Sequence, residues 1–102
     1  MRYFIFLLAM PTVGVASEGQ ELCIVNGLEE SAHFTVAIDD DGRAAADLAP
    51  EGSLCLQGEG KGTIAVFFHP DELEGCSRRV PSGSSTRLTS FPNVDLCGWQ
   101  KQ

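Results

Sequence analysis

The chain has 102 residues, with fourteen Asp and Glu against seven Lys and Arg, for a formal net charge of −7. That length holds one domain. The acidic balance argues against nucleic acid or anionic lipid as a partner drawn in by long-range attraction.

The first sixteen residues read as an export address. Arg2 supplies a positive start, Tyr3 to Met10 form an apolar run, and Val13, Gly14, Val15 and Ala16 close it in small residues. This is the layout of a cleaved signal peptide. A membrane anchor needs about 20 apolar residues, and Pro11 and Thr12 interrupt this shorter run. The expected organisation is therefore a leader over 1–16 and one domain over 17–102, located in the periplasm or outside the cell, with no stable membrane insertion after cleavage. Arg2 leaves with the leader, so fourteen acidic residues then face six basic ones, a net charge of −8.

Four cysteines, Cys23, Cys55, Cys76 and Cys97, fall in the mature part. An even set in a small exported chain reads as two disulfides. Three pairings are open on sequence alone; Cys23–Cys55 and Cys76–Cys97 are favoured because each ties neighbouring segments. A zinc site is disfavoured, since no two cysteines stand at C-x-x-C spacing. Gln20, Glu21 and Leu22 do not make the small-residue box of a lipidated cysteine.

Apolar residues recur with a period of two through most of the mature chain, the signature of strands. Glu21 to Asn26 is the first, with Leu22 and Ile24 on one face. His33 to Asp39 follows, alternating Phe34, Val36 and Ile38 with polar or small neighbours, and the two together suggest a hairpin. Asp39, Asp40, Asp41 and Gly42 make a turn. Arg43 to Leu48 reads as an edge strand or a single helical turn, because its three alanines favour helix in a segment too short to form one alone. Ser53 to Gln57 places Leu54 and Leu56 opposite Cys55. Thr63 to Phe68 is apolar on both faces, as expected of a central strand covered on both sides. Cys76 to Val80 and Thr86 to Phe91 are further strands, and Asn93 to Trp99 closes the chain. The predicted fold is all-β, a small antiparallel sandwich or barrel of about seven short strands held by two disulfides.

Motifs for chemistry are sparse. An EF-hand alignment of Asp39, Asp41 and Gly42 fails, since Ala37 and Leu48 fall where the first and last ligands belong; a loop calcium site is the most this turn offers. The glycine-rich stretch Gly58 to Thr63 has Gly62 after Lys61, where a phosphate loop needs Ser or Thr, and it leads into a strand rather than a helix. His69 with Asp71 forms a weak metal candidate, and His33 is the second histidine that a joint site would recruit. The serines from Ser82 to Ser85 lack a nucleophile elbow. No cofactor is expected. Arg78, Arg79 and Arg87 are the basic cluster and a candidate carboxylate- or phosphate-binding spot. Phe91, Pro92 and Trp99 are a candidate apolar patch, and Arg43 to Leu48 or Thr86 to Ser90 are candidate edges for strand addition. The expected function is a non-catalytic exported module that binds a protein or envelope component. The alternatives are an inhibitor of an exported hydrolase, such as a lysozyme or a protease, and a small enzyme or metal-binding protein.

Overall fold

The computed structural model describes residues 20–94 and 96–102. The expected leader, 1–16, lies outside the described residues. Eight strands follow in order: β1 (Glu21–Asn26), β2 (Ala32–Ile38), β3 (Gly42–Leu48), β4 (Ser53–Gln57), β5 (Lys61–Phe67), β6 (Cys76–Pro81), β7 (Ser85–Asn93) and β8 (Leu96–Lys101). They build two four-stranded sheets, β4-β1-β7-β8 and β3-β2-β5-β6. The described residues contain no helix. The fold is a disulfide-tied β-sandwich.

Alternation decides which residues meet between the sheets. Leu22 and Ile24 of β1, Phe34 and Val36 of β2, Ile64 and Val66 of β5, and Leu88 of β7 are fully buried. Burying each of these side chains stabilises the fold by about 2 kcal/mol. Leu54 and Leu56 of β4 and Trp99 of β8 pack against this core from the side. In β7 the period of two breaks. Register shifts between Leu88 and Ser90 and between Ser90 and Asn93 mark bulges, so Phe91 enters the core rather than Ser90.

Both favoured cysteine pairings are formed. Cys23 and Cys55 stand directly opposite in the β1–β4 ladder, with Cα atoms 4.1 Å apart. Cys76 and Cys97, at 6.4 Å, join the edge strand β6 of one sheet to the edge strand β8 of the other. One bridge staples a sheet; the other staples the sandwich. Such bonds persist in an oxidising environment.

Several expectations need correction. β1 and β2 are not a hairpin, for they sit in different sheets. Periodicity states which face of a strand is buried, and a buried face is satisfied equally well by a strand across the sandwich. β1 instead lies between β4 and β7, and its pairing with β7 is parallel, Ile24 opposite Thr86 and Asn26 opposite Leu88. β7 is therefore interior to its sheet and offers no free edge, whereas β3 is an edge strand. β5 is central, but among the described residues no third layer covers it; its second face carries Lys61, Thr63, Ala65 and Phe67, and Ala65 is screened by its neighbours within the sheet. Phe68, expected as the last residue of a strand covered on both sides, lies just past the end of β5 and is 41% exposed.

Candidate functional site

The connections sort to two ends of the sandwich. One end carries the loops after β1, β3 and β5, at residues 27–31, 49–52 and 68–75, and the turn at Val94. The other carries the loops after β2, β4 and β6.

Asn26 fixes the first end. Its side chain is fully buried, donates to the carbonyls of Leu48 at 2.9 Å and Glu30 at 3.0 Å, and accepts the Leu28 N–H at 2.9 Å. Its backbone pairs with Gly52 and Glu51 across the neighbouring turn. Gly27 follows with its N–H on the Leu88 carbonyl, and a Cβ there would stand 2.4 Å from that oxygen. Glycine is required by close approach. The sequence reading passed over Asn26; the available signal was a polar residue on the apolar face of β1, two residues beyond Ile24.

Phe68 is the hub of this end. Its ring stacks on Phe91, centroids 4.2 Å apart. Three open depressions, of about 500, 240 and 160 Å³, all share it as a wall. The first adds Glu72, Leu73, Glu74 and Val94; the second His33, Asp47 and His69; the third Leu28, Glu29 and Glu30. Leu73 is 97% exposed, between two glutamates. No Lys or Arg lines any of the three. The result is an apolar knob and hollow rimmed by five carboxylates.

The two histidines do share a depression. His33 Nδ1 lies 2.8 Å from Asp47 Oδ1, a base-and-orienter arrangement. No hydroxyl hydrogen-bonds the other imidazole nitrogen among the described residues. The metal candidates are not drawn together. The one close group of potential ligands among the described residues is Glu21, Cys23 and Cys55, whose sulfurs are joined in the disulfide. His69 and Asp71 share a loop without clustering. Asp39 and Asp41 are committed elsewhere: Asp41 accepts the Glu59 N–H at 3.1 Å, and Asp39 takes both arms of Arg79, at 2.8 and 3.0 Å.

The basic cluster is dispersed, because β6 and β7 belong to different sheets. Arg79 pairs with Asp39, Arg87 makes a two-pronged pair with Glu51, and Arg78 makes no such pair among the described residues. The proposed patch of Phe91, Pro92 and Trp99 is also separated. The β7–β8 ladder sets Trp99 opposite Leu88, away from the buried Phe91. Among the described residues, the large exposed apolar side chains are instead Phe68 and Leu73 in the β5–β6 connection and Leu96.

Hydrogen bonds from the guanidinium groups, aided by their charge, hold the Asp39 and Glu51 carboxyls below their ordinary ranges. A depressed carboxylate pKa stabilises the fold above the ordinary range, and that contribution fades as pH falls through the depressed value. The Arg79→Gln variant, which lacks the Asp39 pair, is expected to lose less stability than the parent between pH 7 and pH 3. Urea midpoints at the two pH values read this directly, and an equal loss in both proteins would contradict it. The effect is small, since both pairs are exposed.

Fold and site together define a small disulfide-tied β-sandwich with an acidic, apolar end. No protein-family model, curated protein or solved structure matches the chain.

Proposed function

We propose that the chain is a non-catalytic binding module of an oxidising compartment outside the cytoplasm, periplasmic or extracellular, and that its Phe68 end docks a cationic protein surface. The observation that carries this reading is the junction at Phe68: exposed apolar side chains surrounded by Glu29, Glu30, Asp47, Glu72 and Glu74, with no Lys or Arg to neutralise them. An apolar anchor ringed by one sign of charge suits a partner that presents an aliphatic or aromatic side chain among Lys and Arg. The rim steers the encounter and the hollow at Phe68 and Val94 holds the anchor. The leader, the two disulfides and the acidic balance support export and solubility outside the cell.

Leu73 favours one particular form of this reading, inhibition of a basic exported hydrolase such as a lysozyme. It protrudes from a loop that is tethered two residues past Glu74 by the Cys76–Cys97 bond, and Glu72 and Glu74 flank it. Such a loop has the shape of a plug.

The test uses the mature domain and its Leu73→Ser variant, whose fold should change by no more than about 0.5 kcal/mol because the side chain is solvated. Envelope proteins retained by the parent domain should be eluted by salt and should bind the variant about tenfold more weakly or worse. Partners bound equally by both proteins would refute the proposed face. Activity of each retained hydrolase, measured with the domain in micromolar excess, separates inhibition from simple binding.

A further inference from the structure

The open seam between the sheets lies away from the Phe68 end, along the edges of β6 and β8. Alternation puts Cys76, Arg78 and Val80 on the inward side of β6, and Cys97, Trp99 and Lys101 on the inward side of β8. The disulfide closes the seam at its Cys76–Cys97 end. Toward the other end the seam opens into a depression of about 210 Å³. Arg78, Arg79, Ser84 and Lys101 line it, with the buried Val80 and Thr86 and the ring of Pro81 as the rest of the wall; Arg79 is committed to Asp39. No carboxylate lines it.

The charge pattern there is unusual for so acidic a chain. Arg79 and Arg87 each hold a carboxylate with two hydrogen bonds. Arg78 and Lys101 have no such partner among the described residues, although both face the same hollow. Trp99, one step along the strand face from Lys101, has a buried indole N–H with no acceptor. Arg78 and Lys101 thus bring two positive charges to a hollow that no carboxylate lines.

We infer that the seam binds a small carboxylate. The guanidinium of Arg78 offers the forked donor pair that matches a carboxylate, and Lys101 adds a point charge from the facing strand. Val80, Pro81 and the methyl of Thr86 receive a short apolar stem. The volume limits that stem to a few carbon atoms. The site is independent of the Phe68 end, since it uses neither its residues nor its charge.

The chain's single tryptophan makes the test specific, because its indole N–H gives one isolated proton–nitrogen NMR signal. Butyrate is titrated into the oxidised mature domain, with butyramide as the neutral match and sulfate as the inorganic oxyanion. Saturable shifts at Trp99 and in β6 and β8 with butyrate, none with butyramide, and weaker binding of sulfate are expected. The Arg78→Gln/Lys101→Gln variant should weaken butyrate by about tenfold or more, while Arg43→Gln/Lys61→Gln, which lowers the total charge equally, should leave it unchanged. Linear, unsaturable shifts, or equal weakening by both variants, would overturn the site. Tighter binding of sulfate than of butyrate would overturn the carboxylate assignment.

Discussion

Reduction of both disulfides is expected to unfold the domain at 25 °C. The bridges span 32 and 21 residues, and the chain-entropy model gives each closure about 3 to 4 kcal/mol. Their sum reaches the range of a whole small domain's stability, about 5 to 15 kcal/mol. The two bonds do different work. Cys23–Cys55 joins strands that already share a hydrogen-bonded ladder, so its loss leaves that ladder in place. Cys76–Cys97 crosses between sheet edges where no ladder runs. The Cys76→Ala/Cys97→Ala variant should therefore show faster amide exchange concentrated in β6 and β8, with a urea midpoint lowered in proportion to about 3 kcal/mol. A fully reduced sample, verified by thiol titration, that kept the oxidised protein's urea midpoint would contradict the expectation.

The second large effect is expected at Asn26. Asn26→Ala leaves the Leu28 N–H and the Leu48 and Glu30 carbonyls without their side-chain partner in a largely buried setting. Unmet buried groups cost about 1 to 3 kcal/mol each, and water entering the new cavity recovers part of this, so about 3 kcal/mol in total is expected. The loss should be uneven. The 27–31 loop, which carries Glu29 and Glu30, should exchange its amides faster while the β2–β5 ladder remains protected. Denaturant midpoint and residue-resolved exchange measure the two parts; a midpoint shift below about 1 kcal/mol would show that Asn26 is not the clamp its hydrogen bonds describe.

The strands were legible because their apolar residues alternate. β1 and β4 occupy the expected residues, β2, β3, β5, β6 and β7 differ from expectation by one or two residues at their ends, and β8 is an eighth strand where only a closing segment was expected. Partnership was not legible. Leu22 and Ile24 announce one buried face, but nothing in β1 names β7 as its neighbour some sixty residues away. The site was hidden for the same reason. Phe68 reads as the last apolar residue of a strand, and Leu73 as a lone leucine in an acidic loop. Only the fold brings them beside Glu29, Glu30 and Val94. Arg78, Arg79 and Arg87 looked like one cluster because sequence proximity was taken for spatial proximity, and the change of sheet between β6 and β7 breaks that link. The disulfide pairing was recoverable since it joins cysteines consecutive in the chain.

Lying between β4 and β7, β1 sets the order in which the protein can be finished. A ribosome makes it first, yet one of its two flanks stays bare until Ser85 to Leu88 have been synthesised. Until then Leu22 and Ile24 lack Leu88 and Phe91 beside them, and an unpaired strand edge is open to other chains. Fragments from the amino-terminal side are thus expected to be sticky: the Cys23–Cys55 bond can close once β4 is made, but the open flank of β1 waits for β7 and the Cys76–Cys97 bond for β8.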